Sequence, residues 1–143
     1  MDSLFSSGNI ISTYTRKQAI ADGVLIDTLP GGKTLTSLAA EAGIRWPVAF
    51  TSGAYDDAVG WYDDDGMQNE EGRAWDVLWM ASAAFRNAAH SDNTQLYPGR
   101  RFPIQFLRVA QGATRPSNAL LHAVFTIDDD NSPCWTFMLP TED

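Results

Sequence analysis

The chain has 143 residues, a formal net charge of −8 and a hydrophobic fraction of 44%, with five Trp and seven Phe. This length and apolar content predict one folded domain and exclude a disordered chain. An acidic chain with few clustered cations is repelled by phosphates, so we expect neither direct nucleic-acid binding nor binding to anionic membranes.

The start of the chain predicts a loosely held arm. Residues 1–12 show no sustained hydrophobic period and are expected to form a flexible N-terminal arm, followed by a single domain over residues 13–143. They carry neither the basic start nor the apolar core of a signal peptide, and no apolar run in the chain approaches the roughly 20 residues that span a bilayer. We therefore expect a cytoplasmic protein.

A capping box predicts the first helix. Thr15 and Gln18 have the spacing at which a hydroxyl and an amide side chain satisfy free amides of the first helical turn. The spacing predicts a helix over residues 16–22. Gly23 follows as the left-handed residue that commonly ends a helix.

A short strand and a second helix are predicted next. The apolar residues 24–26 precede a Pro-Gly-Gly turn and predict a buried strand. Apolar residues at i, i+3, i+4 and i+7 predict a helix over residues 35–42. Pro47 cannot donate a ladder hydrogen bond, so residues 48–51 are expected to form either an edge strand or the lead into another helix.

Residues 54–71, the acidic segment, contain seven carboxylates and no Lys or Arg. Unpaired carboxylates lose their hydration when buried, so this segment is expected at the surface. Tyr55, Trp61 and Tyr62 are interleaved with the charges and can supply contact energy. The segment therefore predicts a partner-binding face, and a merely solvated loop is the alternative. The predicted partner-binding residues are Asp56, Asp57, Trp61, Tyr62, Asp63, Asp64, Asp65, Glu70 and Glu71.

The strongest helical pattern covers residues 71–88, where Trp75, Leu78, Trp79 and Phe85 share a face predicted to be buried against the C-terminal strands. Residues 102–110, 119–128 and 134–139 are predicted to be strands joined as a β-meander. The expected architecture is α+β, with an antiparallel sheet that carries helices on one face.

The remaining reactive side chains predict no metal or cofactor. His90 follows the long helix and is expected to interact with its C-terminal dipole, whereas His122 alternates with apolar residues and is expected to be a core imidazole. Cys134 is the only cysteine and is expected to be an inert buried thiol. The Asp-Asp-Asp-Gly run that ends at Gly66 fails as a calcium loop, because Trp61 occupies the first ligand position.

Four stretches are together similar to a known family: YTRKQAIADGVLID at residues 14–27, Pro-Val-Ala at 47–49, GRAWDVLWM at 72–80 and TFMLPTED at 136–143. They resemble a family of small uncharacterised proteins found in bacteria, their plasmids and their phages. The family has no established activity, so the resemblance transfers no catalytic residue. The resemblance implies a gene carried on a mobile element, and small proteins of mobile elements often neutralise host defence.

These observations favour one function and leave two alternatives. The first is a non-enzymatic acidic binding protein of a mobile element that inhibits a host defence complex of the CRISPR or restriction type, for example by mimicking DNA at a basic protein surface. The second is a small enzyme or ligand-binding protein with a pocket near residues 14–27, and the third is a structural interaction module. The polar residues that could line that pocket, or serve only as caps and turns, are Tyr14, Arg16, Lys17, Asp22 and Asp27.

Overall fold

The computed structural model describes residues 14–62, 66–90 and 95–143. The N-terminal arm predicted over residues 1–12 lies outside these ranges, as do Asp63, Asp64 and Asp65. The predicted α+β architecture is confirmed: helices and a five-stranded sheet form one compact domain. Within the described ranges, no helix has the length and apolar character needed to cross a membrane.

Short elements alternate through the first half of the described chain. They are α1 (Arg16–Ala21), β1 (Leu25–Ile26), α2 (Leu35–Glu41), β2 (Val48–Thr51) and α3 (Ser52–Ala58). Each of the three helices begins after a threonine whose hydroxyl accepts a hydrogen bond from a first-turn amide. Such caps satisfy amides that have no partner within the helix, which explains why these short helices begin where they do.

The predicted capping box at α1 is confirmed. The Thr15 Oγ1 atom accepts from the Gln18 amide at 3.0 Å, and the Gln18 Oε1 atom accepts from the Thr15 amide at 2.9 Å. Gly23 has φ of +79°, the left-handed conformation expected after the helix.

The second half consists of one long helix and a meander. The elements are α4 (Glu70–Ala89), β3 (Arg101–Val109), β4 (Pro116–Ile127) and β5 (Pro133–Met138). β3 pairs antiparallel with β4, and β4 pairs antiparallel with β5, so the predicted meander is confirmed. Its strand boundaries differ from the predicted ones by one to three residues.

The strand order is β1-β2-β5-β4-β3, which corrects two expectations. β2 is not an edge strand, because it pairs with β1 on one side and lies parallel to β5 on the other, so the sheet is mixed. The strand leads directly into α3, as the alternative expected. The proline at position 47 precedes β2 and contributes its carbonyl, which accepts from the Trp135 amide at 2.8 Å. The missing proline amide therefore costs no ladder bond, because the residue lies just before the strand.

The main core lies between the sheet and helices α2, α3 and α4. Phe50 of β2 stacks on Phe137 of β5 with ring centroids 4.8 Å apart, and Phe85 of α4 stacks on Trp135 at 4.3 Å. Thr136 alternates with these rings and therefore points to the opposite face of the sheet. There it meets an arginine of α1, so the helices are not confined to one face as predicted.

The burial predicted for α4 is partly wrong. Leu78 is fully buried, and Phe85 packs against the core, but Trp79 is 49% exposed. The buried side of α4 is instead made largely by small residues, including Ala74 and Ala81, which allow the helix to approach the sheet closely. Trp79 therefore belongs to the surface of the domain.

Candidate functional site

Tyr62 and Asp56 form an exposed pair in the acidic segment. The Tyr62 hydroxyl donates to Asp56 Oδ1 at 2.6 Å, and both side chains remain exposed. The hydrogen bond to Asp56, followed by desolvation, raises the pKa of Tyr62 to about 12. This pair presents a phenol ring beside a negative charge, which is suitable for contact with a cationic partner.

Tyr55 is part of the core and does not present a surface for contact. Its ring packs edge to face against Phe50, and its hydroxyl donates a short hydrogen bond to Glu70. Burial, followed by the bond to Glu70, raises the pKa of Tyr55. The bond connects α3 to the start of α4 and positions Glu70 at the N-terminus of that helix, where a carboxylate is favourable.

Trp61 is 8% exposed, which makes it a packing residue and corrects the expectation of an exposed aromatic anchor. The Arg73 guanidinium lies 5.0 Å from the centre of its ring. Arg73 Nε donates to the Val59 carbonyl at 2.9 Å, and Nη1 donates to the Val109 carbonyl at 2.7 Å. One buried arginine thus holds the acidic segment, α4 and the end of β3 together.

Two further carboxylates of the acidic segment have cationic neighbours. Asp57 Oδ1 lies 3.0 Å from an Arg108 nitrogen, and Glu71 Oε2 lies 3.9 Å from Lys33 Nζ. The Asp57 bond attaches α3 to β3, whereas the Glu71 contact is long and exposed and contributes little. The described part of the acidic segment is therefore a fixed surface feature joined to the fold.

Besides a cavity of about 510 Å³ that Glu70 and Glu71 line, the surface near this segment has a groove between α4 and β3. The volume of this groove is about 560 Å³. Trp79 is 49% exposed and Leu107 61% exposed, so large apolar side chains lie open to solvent along it. Clustered exposed apolar groups of this size are characteristic of binding surfaces. The lining residues are Trp75, Asp76, Trp79, Met80, Gln105, Phe106, Leu107 and Asn118.

One carboxylate lines the groove, and two more line a neighbouring cavity. Asp76 lines the groove directly, and burial raises the pKa of Asp76 despite the opposing effect of Arg73. Trp75 lines both the groove and a neighbouring cavity that contains Glu41 and Glu71. The groove therefore adjoins, at Trp75, a cavity lined by Glu71 of the acidic segment and by Glu41, which is bound to Lys33.

Sequence patterns missed this groove because the aromatic spacing on α4 was interpreted as a core face. A usable signal was Pro103, which lies within β3. Proline within a strand indicates an edge, because it cannot donate to a neighbouring strand. An edge strand beside an aromatic helix is where an open groove can form.

The structure divides the five polar residues of the family-like signature between two places. The Tyr14 hydroxyl donates to Asp22 at 2.9 Å across the exposed side of α1. Arg16 Nη1 donates to Thr136 Oγ1 at 2.6 Å and attaches α1 to β5. Both contacts hold α1 in place.

A smaller cavity of about 260 Å³ brings Arg16, Lys17 and Asp27 together with Asp128. Two of the predicted pocket residues, Tyr14 and Asp22, do not line it. The cavity is slightly below the usual size of small-molecule sites.

The histidines and the cysteine have structural surroundings. His90 occupies the C-cap of α4, as expected, and the Cys134 thiol is buried beside Thr126. His122 is half-buried, with Nδ1 2.9 Å from an Arg101 nitrogen. Burial, and then the Arg101 charge, lower the pKa of His122. Among the described side chains, no group of three or more His, Cys, Asp or Glu residues could hold a metal ion.

The fold and its surface define a single-domain α+β protein with an open groove beside an acidic segment. The chain belongs to a family of unknown function (DUF6573), whose sequence profile matches residues 1–143. Comparison with curated proteins and with solved structures finds no match.

Proposed function

We propose that this protein is a non-enzymatic binding protein whose groove and acidic segment together engage a basic surface of another protein. The observation that supports this proposal most strongly is the exposed aromatic and aliphatic lining of the groove, formed by Trp79, Met80 and Leu107. Large apolar side chains that remain open to water gain free energy when a partner covers them.

The charge around the groove selects the class of partner. Asp76 lines the groove, Asp56 lies exposed in the acidic segment, and the whole chain carries a formal net charge of −8. A negative surface accelerates the approach of a basic partner and repels acidic ones, while the buried apolar contact determines how long the complex lasts.

The proposed setting is a mobile genetic element, with a nucleic-acid-binding host defence complex as the partner. The sign of the charge supports this setting, because the nucleic-acid channel of such a complex is lined by cations that attract spaced carboxylates. The resemblance to small proteins of plasmids and phages supports it independently. The protein would occupy the cationic channel and exclude nucleic acid from it, as a DNA mimic does.

Affinity capture from bacterial lysate, followed by reconstitution with the identified purified partner, tests the proposal. The wild-type protein should retain a basic protein at low salt and release it at high salt. Trp79→Ser should weaken binding to that purified partner at least tenfold. Ile127→Ser is a matched control, because Ile127 is exposed but does not line the groove. Equal binding by both variants would contradict the proposal.

The smaller cavity supports a second candidate, which is binding of a small polar ligand. Lys17, Asp27 and Asp128 place charges of both signs around it, and such a site would suit a zwitterionic molecule. Native mass spectrometry of the purified protein should then show a small molecule that is lost in Lys17→Ala. A protein that carries no added mass in either form would contradict this candidate.

A further inference from the structure

The groove lies along an open edge of the sheet. β3 is the terminal strand in the order β1-β2-β5-β4-β3, and it is nine residues long. Among the described residues, no strand pairs with its outer side. Such an edge presents backbone donors and acceptors to any extended chain that lies beside it.

The pairing with β4 determines which residues of β3 present these groups. In an antiparallel ladder, alternate residues direct their N–H and C=O groups toward the neighbouring strand and the others direct them away. The Phe125 amide donates to the Arg100 carbonyl at 2.9 Å, so even-numbered residues of β3 face β4. The Val109 carbonyl accepts from a side chain of α4, as expected for an outward-facing odd-numbered residue.

Gln105 and Leu107 are therefore the outward-facing residues in the middle of the strand, and both line the groove. Pro103 also belongs to this set but has no amide hydrogen to offer. The available donors are thus the amides of two residues that line the groove together with Trp79.

We infer that an extended segment of the partner, with alternating apolar and basic residues, adds to β3 as a sixth strand and fills the groove between β3 and α4. The inference rests on the proposed function and specifies how that binding occurs. Backbone hydrogen bonds from Gln105 and Leu107 hold the segment, and one set of its alternate side chains packs on Trp79 and Met80.

The net charge of the domain explains why the second set of side chains is basic. Side chains alternate between the two faces of a strand, so this set projects from the face of the sheet opposite α4. It does not contact Asp76, or Asp57, which is bound to Arg108 on the α4 side. Because the chain carries a formal net charge of −8, lysine or arginine side chains in this set accelerate binding, whereas an acidic strand is repelled.

A capped nine-residue peptide in which Val alternates with Lys is a suitable probe, with a Val and Glu peptide as its control. Amide hydrogen exchange measured by NMR on the whole protein reports the binding mode. The Val and Lys peptide should bind saturably, weaken with added salt, and slow exchange of the Gln105 and Leu107 amides at least tenfold. The Val and Glu peptide should not bind.

Paired substitutions separate the backbone bond from the side-chain contact. Leu107→Ala removes the side chain and keeps the amide, whereas Leu107→Pro removes both, as the natural Pro103 does in the same strand. Leu107→Pro should bind the Val and Lys peptide about fivefold more weakly than Leu107→Ala, the effect of one net hydrogen bond. Gln105→Pro and Gln105→Ala repeat the comparison if Leu107→Pro does not fold.

The outcomes distinguish this inference from the proposed function. Peptide binding without protection of the two amides would overturn strand addition and leave groove binding intact. Failure of the Val and Lys peptide to bind, or equal binding of the Val and Glu peptide, would overturn the inferred occupant, while partner capture tests the proposed function separately. Protection that increases with protein concentration, without peptide, would show that a second copy occupies the edge and would overturn the inference.

Discussion

Substitution of Arg73 by Met should strongly destabilise the fold. Arg73 is 4% exposed and donates from Nε and Nη1 to carbonyls of residues 59 and 109. Methionine fills a similar volume and keeps an apolar contact with the Trp61 ring, but it cannot donate a hydrogen bond. The substitution therefore leaves two buried carbonyls without this donor while approximately preserving the packing.

The magnitude follows from the contacts. Hydrogen bonds that involve a charged group contribute about 1.5 to 3 kcal/mol each, so the two bonds amount to about 3 to 6 kcal/mol. Arg73 Nη2 is buried and has no hydrogen-bond partner among the described residues, so removing that atom recovers about 1 to 2 kcal/mol. The net loss should be about 2 to 4 kcal/mol, or about 6 to 12 °C in Tm for a domain of this size.

Urea unfolding followed by tryptophan fluorescence, with thermal melting by circular dichroism, measures this loss. Arg115→Met is the matched control, because Arg115 is exposed and the same charge is removed from the surface. The control should unfold within about 0.5 kcal/mol of wild type. If Arg73→Met were as stable as Arg115→Met, the assigned role of Arg73 in joining α4, β3 and the acidic segment would be refuted.

Three further predictions concern stability, pH and charge. In urea unfolding, Leu78→Ala should lower the free energy of unfolding by about 2 to 5 kcal/mol because Leu78 is fully buried. The neighbouring Trp79→Ala should lower it by about 1 kcal/mol because the Trp79 ring is half exposed. Equal losses would contradict the assigned faces of α4. Because the folded pKa of His122 lies below 6.5, the folded protein binds fewer protons there than the unfolded chain, and stability is lost as pH falls below that value. The Tm of His122→Gln should therefore fall less than that of wild type between about pH 7.5 and 5.5. An identical decrease in the two proteins would contradict this assignment. Replacing the aspartates at 63–65 with Asn should leave stability nearly unchanged but slow association with the basic partner and reduce the salt dependence of the association rate, measured by stopped-flow fluorescence. If the variant and wild type associated at the same rate from low to high salt, these charges would be only solvated.

The sequence predicted best what local chemistry determines. The capping box at Thr15 and Gln18 depends on contacts within four residues, and the structure places both hydrogen bonds where the spacing indicated. The α4 helix and the β-meander likewise follow from periodicity and from connections between consecutive elements. These features require no information about distant parts of the chain.

The errors arose where distant segments meet. The parallel pairing of β2 with β5 joins Phe50 to Phe137, and no local pattern specifies that register. The exposure of Trp79 has the same origin, because α4 is apolar on most sides and its sequence does not indicate which side the sheet covers. The candidate site was affected most, since its groove exists only where the unburied side of α4 meets the edge of β3.

Photo-crosslinking from the groove tests the central claim most directly. Benzoylphenylalanine placed at position 107, in the groove, is compared with the same group at position 127, which is exposed elsewhere on the sheet. In bacterial lysate at low salt, position 107 should form a crosslink to a basic protein, position 127 should not, and high salt should abolish the product. Crosslinks of equal yield from both positions, or none from position 107, would contradict the proposal that this groove binds a basic partner.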